Sequence, residues 1–171
     1  SIKQKRDYSV FSLAIKLPGK KNIIIKNLKI PLLGIHNIRN ATASAAVAIT
    51  IGISKNIIRK SLKEFKGVQR RFNKVFTYRG IEFYDDYAHH PTEITEVLKG
   101  VKQGYKKEEI ICIFQPHRIS RLNDLRSEFS ASFKNADCVI LCPIYLAGEK
   151  LKLGFNYLNF SKEIIKNSKV K

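Results

Sequence analysis

Apolar and polar positions alternate along Val10-Phe11-Ser12-Leu13-Ala14-Ile15 and again from Ile23 to Ile30, a period that predicts two strands punctuated by Pro18-Gly19. After Pro31 the period lengthens. The run LLGIHNIRNATASAAVAITIGI passes through a glycine turn into an alanine-rich stretch closed by Gly52, which predicts a helix starting close to His36 and Asn37. Ser54 offers an N-cap for a second helix, with Ile58, Leu62 and Phe65 at helical spacing down to Gly67. Beyond Gly67 the alternation returns, and residues 74–78 and 81–84 flank a turn at Arg79-Gly80. A helix from residue 92 carries Ile94, Val97, Leu98 and Val101, and a strand follows over 109–114. A helix from residue 121 carries Leu122, Leu125, Phe129 and Phe133, and a last clear strand spans 138–142. Strand, helix, strand, helix, strand predicts a parallel α/β sheet with right-handed crossovers. The change of pattern predicts a domain boundary at 67–69, giving domains 1–68 and 69–171. The tail from Lys150 predicts only a weak helix near 160–165, so the second domain is expected to be incomplete at its C-terminal end.

In an open parallel sheet, ligand-binding groups gather where strands run into loops. Three segments meet that rule and are richer in chemistry than a connection needs: YDDYAHHP, FQPHRISR and PIYLAGE. The first packs Asp85, Asp86, Tyr87, His89 and His90 ahead of Pro91, a residue suited to the first turn of a helix. Two carboxylates and two imidazoles suit metal binding, acid/base work or hydrogen bonds to the hydroxyls and amine of a substrate. The plainer use of Asp85 or Asp86 is to hold the turn, and the adjacent histidines lack an obvious third metal ligand. The second segment sets Arg118 and Arg121 three residues apart where a strand passes into a helix. Guanidinium groups bind carboxylates or phosphates in a bidentate fashion, each charge-assisted bond contributing roughly 1.5 to 3 kcal/mol. A small molecule bearing a carboxylate is the natural ligand; a surface pair with Asp124 is the alternative. At the predicted boundary, Arg70 or Arg71 is placed to meet a nucleotide phosphate, though paired arginines are common on surfaces. His36, Asn37 and Asn40 are either ordinary cap residues or, through an amide, readers of adenine.

Composition narrows the class. Over 171 residues the chain is 44% hydrophobic and 10% aromatic, enough to form a core and inconsistent with intrinsic disorder. No apolar run of about 18 residues is present, and SIKQKRDYSV has no signal-peptide stretch, so no association with a membrane is expected. Three sparse cysteines, Cys112, Cys138 and Cys142, lie in apolar runs and fit buried positions in a reducing cytoplasm; they predict no metal site. The formal charge of +18 suggests a basic nucleic-acid module. Its lysines, however, are scattered (Lys20, Lys21, Lys26, Lys29, Lys55 and Lys60 among them), and aromatics are not interleaved with them on one face. No nucleic acid is therefore expected as a partner.

Taken in order, GIHNIRNATA, FKGVQRRF, YDDYAHHPTEI, FQPHRISR and YLAGE resemble the Mur ligases over about residues 10–149. QRRF, DDY-HHPTE and FQPHR most resemble the members that join L-alanine to UDP-N-acetylmuramate. Ala88, where glycine is usual, resembles a related ligase that recycles murein tripeptide. The resemblance implies an α/β architecture: the end of a central ATPase domain, then a Rossmann-like domain with a mostly parallel sheet and helices on both faces. It implies ATP as the source of an acyl phosphate on the muramate, attacked by the amine of L-alanine, with Mg²⁺ held by ligands upstream of residue 1. The glycine-rich phosphate loop G-x-x-x-x-G-K-[ST] is absent from these 171 residues, so they are expected to be inactive alone. Carried over, Asn37 and Asn40 match adenine-side positions with His36 beside them. Arg71 matches the arginine that reaches ATP phosphate, and Asp86 the aspartate near the ribose. Tyr87, His89, Arg118 and Arg121 match positions that contact the incoming amino acid.

Overall fold

The computed structural model describes residues 2–16, 18–19, 22–150 and 155–171; Lys20 and Lys21, two of the scattered lysines, lie outside the described residues. The chain forms two compact units, one of residues Ser1–Asp86 with Gln103–Tyr105, the other of Tyr87–Lys102 with Lys106–Lys171.

In the first unit, β1 (Ile2–Gln4), β2 (Ser9–Ile15) and β3 (Ile23–Ile30) form an antiparallel sheet in that order. Alternation in β2 turns Phe11, Leu13 and Ile15 to the core. In β3 the buried set is Ile25, Leu28 and Ile30, and the three-residue step is made by a bulge opposite Ser12. Asn27 takes the left-handed conformation there (φ 54°), and its N–H donates to Ser12 Oγ at 3.3 Å. Ile38, Ala41 and Ala45 of α1 (Ile35–Thr50) and Ile58 of α2 (Lys55–Glu64) complete this core. The glycine stop at Gly52 is as expected: φ is 90°, Gly52 N–H donates to Ile49 O, and Ile53 N–H donates to Ala48 O. Ser54 caps α2, its Oγ accepting from Ile57 N–H, but Phe65 lies just past the helix end and is exposed. β4 (Asn73–Tyr78) and β5 (Ile81–Asp85) form a hairpin whose two turn residues, Arg79 (φ 48°) and Gly80 (φ 81°), are both left-handed. Phe76 stacks on Phe83 at 4.3 Å, and the Tyr84 hydroxyl meets that of Tyr105.

In the second unit β6 (Ile111–Phe114) and β7 (Cys138–Leu141) pair in parallel, joined through α4 (Ile119–Asp124) and α5 (Arg126–Ala131). α3 (Pro91–Gly104) precedes them and α6 (Tyr157–Ser168) follows, starting at an Asn156 cap. Phe129, Phe133 and Phe160 are the largest fully buried side chains, packed with Ile94, Leu98, Phe114, Leu122 and Ile164. Two buried serines are satisfied within this core: Ser168 Oγ donates to Ser130 O at 2.7 Å and accepts from Phe133 N–H at 3.1 Å. The last residue lies along β7, Lys171 N–H donating to Asp137 O and Lys171 O accepting from Val139 N–H.

Several expectations are corrected. Among the described residues β5 pairs with β4 alone, in a sheet separate from β6 and β7, its antiparallel ladder to the hairpin partner running from Ile81 to Asp85. The predicted helix from residue 121 starts at Ile119 and is two short helices. Leu125 (ψ 29°) leaves helical geometry between them, although its N–H still donates to Arg121 O and preserves the apolar spacing. The three cysteines, expected at buried positions, are half-buried, and Ile111, Ile113 and Ile140 in the same apolar runs are exposed. Burial still pushes the Cys112 thiol up to about 11, so it stays protonated and unreactive at neutral pH.

Asp137 ties the sheet start to α3: its carboxylate accepts from Ile110 N–H at 2.9 Å and from Lys102 Nζ at 3.2 and 3.0 Å. The backbone N–H first, then the lysine, holds its carboxyl below the ordinary aspartate range. An acid held low contributes stability that is whole above the unfolded value near pH 4 and is lost as pH falls through the folded one. Because solvent screens the half-exposed pair with Lys102, Asp137→Asn is expected to lower stability at pH 7 by less than about 1 kcal/mol and to flatten the acid limb of a stability–pH curve. An unchanged acid limb in urea melts from pH 2 to 7 rejects this role.

Candidate functional site

In the first unit, the chain enters α1 through Gly34 (φ 88°), and the His36 ring sits where a β-carbon on Gly34 would be, 2.5 Å from Cε1 and 2.7 Å from Nδ1. Only glycine suits both the dihedral and the ring. Asn37 Nδ2 donates back to Leu33 O at 2.7 Å, so this amide is occupied in fixing the helix entry; Asn40 is exposed farther along α1. The loop from 67 to 73 is unusual in its backbone. Gly67 (φ 85°), Arg70 (φ 57°) and Phe72 (φ 51°) are all left-handed, a strain of about 1–3 kcal/mol for each non-glycine residue. Asp86 offsets it: its Oδ2 accepts from Phe72 N–H at 2.8 Å. Asp85 lies 3.8 Å from Arg70 Nε, and Phe72 stacks on Tyr84 at 4.3 Å. The exposed Arg71 is thus presented from a loop whose shape the two aspartates hold. Asp86 was expected near a ribose; its visible work is on the backbone that carries Arg71.

The second unit gathers residues from three loops. His89 Nδ1 lies 2.9 Å from Tyr87 O and 3.4 Å from a Glu93 oxygen, and Glu93 also accepts from His89 N–H. His90 takes the duller part of helix cap, its Nδ1 accepting from Thr92 N–H at 3.3 Å. The Tyr87 ring is 4.8 Å from that of His89 and 6.4 Å from that of His117; His117 in turn lies 6.1 Å from His89 and 5.4 Å from Tyr145. Past the ends of β6 and β7 the ladder continues in one bridge between His117 and Tyr145: Arg118 N–H donates to Tyr145 O at 2.9 Å and Tyr145 N–H to Pro116 O at 2.8 Å. Glu149 closes the same edge by accepting from Ser120 N–H and Oγ. Those bonds, the hydroxyl first, hold its carboxyl below the usual range.

Arg118 takes a left-handed φ of 68° at the entry to α4 and is exposed. Arg121 is half-buried, and its Nη1 has neither solvent nor a hydrogen-bond partner among the described residues; no ion pair joins it to Asp124 there. His117 Nδ1 is in the same condition. Burial, then the charges of Arg121, His89 and Arg118, lower the His117 pKa, so its ring is neutral at pH 7. The result is a cluster of aromatic and imidazole rings with two arginines beside it, a combination suited to a small anion with an apolar part. Tyr87, His89, Arg118 and Arg121 thus fall in one unit, while His36, Asn37, Asn40, Arg71 and Asp86 fall in the other. His117 and Tyr145 were missed as site residues, although both lie inside the quoted motifs. Among the described residues no group of three His, Cys, Asp or Glu side chains could hold a metal ion, and no helix is long and apolar enough to cross a membrane.

Residues 70–167 match the family model described as "Mur ligase, glutamate ligase domain". The UDP-N-acetylmuramate–L-alanine ligase of Pelagibacter ubique is 72% identical over 171 residues, covering all of this chain and 37% of that protein. The enzyme of the same description from Bartonella tribocorum is 44% identical over 167 residues, 98% of this chain and 34% of that protein. Among solved structures, UDP-N-acetylmuramate-alanine ligase from Thermotoga maritima superposes with a TM-score of 0.73 at 28% identity, over 97% of this chain and 34% of that one. The MurF structure from Acinetobacter baumannii, 20% identical with a TM-score of 0.65 over 99% of this chain and 34% of that one, shares the fold. The α/β architecture expected from the sequence is that of these neighbours, and the chain spans about a third of the length of the relatives it matches.

Proposed function

The chain belongs to the Mur ligase family, and from that premise we propose that it is the carboxy-terminal part of an ATP-dependent ligase joining L-alanine to UDP-N-acetylmuramate in the cytoplasm. The observation that carries this reading is Arg121 Nη1, a buried guanidinium nitrogen without a partner among the described residues. Leaving such a donor unmet costs about 1–3 kcal/mol, which a substrate carboxylate removes by accepting from it. The exposed Arg118 adds a second guanidinium near His117, and the neutral His117 adds no repelling charge to an incoming ammonium. Tyr87 and His89 pack against the His117 ring, and to them falls the orientation of the amine.

The nucleotide side of the reaction falls to His36, Asn37, Asn40, Arg71 and Asp86. When bound, ATP supplies the phosphoryl group that activates the muramate carboxylate. Arg71, carried on its strained and clamped loop, neutralises phosphate charge there, and the exposed Asn40 offers an amide to the base. A Mg²⁺ site does not fit the described residues of this chain, so no step is assigned to one. The family boundary is proposed at 67–69; the family match beginning at residue 70 supports it, although β4 and β5 pack with the first compact unit.

The full-length protein is expected to release ADP from ATP only when UDP-N-acetylmuramate and L-alanine are both present, and the 171 residues alone are expected to release none. Ala88 favours a second reading, a ligase for murein tripeptide, so the tripeptide is the competing acceptor in that assay. Faster ADP release with tripeptide than with L-alanine overturns the first reading, and turnover by the 171 residues alone overturns the assignment of phosphate-loop chemistry to another part of the protein.

A further inference from the structure

The proposed function gives a role to five positions in the second unit and none to the YLAGE motif, although Tyr145 of that motif packs against one of them. Its backbone is fixed on both sides by hydrogen bonds to Arg118 N–H and Pro116 O. Its ring rests 5.4 Å from His117, which continues a line of rings to Tyr87 and His89. Centroids at 4.8 to 6.4 Å put neighbouring rings of this line in van der Waals contact. Yet Tyr145 itself is 56% exposed and outside the hydrophobic core, so folding does not demand an aromatic there. An amino acid has three parts to be read: a carboxylate, an amine and a side chain. The two arginines proposed for the carboxylate lie close enough to His117 for their charges to act on its ring, and Tyr145 is the ring that packs on the same imidazole.

On the premise that the site takes the amino acid of the ligase reaction, we propose that Tyr145 is a specificity-determining residue. Its ring closes the space beside His117, accepting a methyl side chain and turning larger ones away. Hydrophobic walls discriminate by about tenfold or more per methylene, so the effect of moving this one is measurable.

The test uses the full-length ligase with glycine, L-alanine and L-leucine as acceptors. Tyr145→Ala is expected to lower the ratio of kcat/KM for L-alanine over L-leucine by about tenfold or more, with the KM for ATP within about twofold of the parent. Tyr145→Trp is expected to move the other way, favouring glycine over L-alanine by about tenfold, while Tyr145→Phe keeps the parent ratios. An unmoved alanine-to-leucine ratio in Tyr145→Ala, or an equal loss with every acceptor, overturns the proposal while the ligase reading stands. A parent enzyme that releases no ADP in response to L-alanine overturns both. Switched preference in Tyr145→Phe overturns the ring-size argument, since only the hydroxyl is then at issue.

Discussion

Arg121→Ala in the full-length ligase is expected to lower kcat/KM for L-alanine by about tenfold to a hundredfold while leaving the KM for ATP within about twofold. The magnitude follows from roughly 1.5–3 kcal/mol for a charge-assisted hydrogen bond to the carboxylate, each 1.4 kcal/mol being a factor of ten. The loss should appear mainly as a raised KM, because the carboxylate is held equally before and during bond formation. Arg118→Ala should act in the same direction with a smaller effect, since Arg118 is exposed whereas Arg121 Nη1 is shut off from water. Arg121→Lys keeps charge but not the planar fork, and recovers only part of the loss. Steady-state kinetics with varied L-alanine at saturating ATP and UDP-N-acetylmuramate read all three. An alanine KM unmoved by Arg121→Ala removes Arg121 from the carboxylate site.

The largest expected loss of stability is at Phe133. Its side chain is completely buried, 5.2 Å from the Phe114 ring, and its backbone N–H donates to Ser168 Oγ. Phe133→Ala removes most of a ring from a core that α5, α6 and β6 share, at a cost of about 3–5 kcal/mol. Hydrogen exchange is the direct reading: amides of β6 and β7 should exchange about a hundredfold to a thousandfold faster. Phe76→Ala serves as the contrast. Phe76 is exposed and stacked only on Phe83, so its loss should cost less than about 1.5 kcal/mol. Exchange in β6 and β7 that is unchanged by Phe133→Ala would mean that the three phenylalanines do not form the stabilising centre of this unit.

What the sequence made legible is what depends on neighbours along the chain. α1 and its stop at Gly52 follow from an apolar period and a glycine able to take a positive φ; the Ser54 cap and the Arg79-Gly80 turn follow from equally local chemistry. Pairing is not local. The Arg79-Gly80 turn marks residues 81–85 as the second arm of a hairpin, but nothing in them tells whether that arm also joins the parallel sheet, and among the described residues it pairs with β4 only. The helical break at Leu125 escapes a periodic reading for a similar reason, because its apolar spacing is intact. The candidate site divides in the same way. Arg118, Arg121, Tyr87 and His89 are visible by residue type at strand ends, and they do lie in one unit. That Arg121 Nη1 has no partner among the described residues, that His117 is neutral and central, and that Tyr145 leans on it are properties of loops brought together by β6 and β7. Asp86 shows the converse: a residue whose type suggested a ligand contact also fixes a strained backbone through Phe72.

The bridge between His117 and Tyr145 makes the two loops after β6 and β7 a single heritable part. Transplanting residues 115–121 into another ligase without 143–149 would leave Arg118 N–H and Pro116 O facing a foreign backbone and Ser120 without its Glu149 partner. A graft intended to change the acceptor must therefore carry both loops as one cassette, and drift in either is constrained by the other.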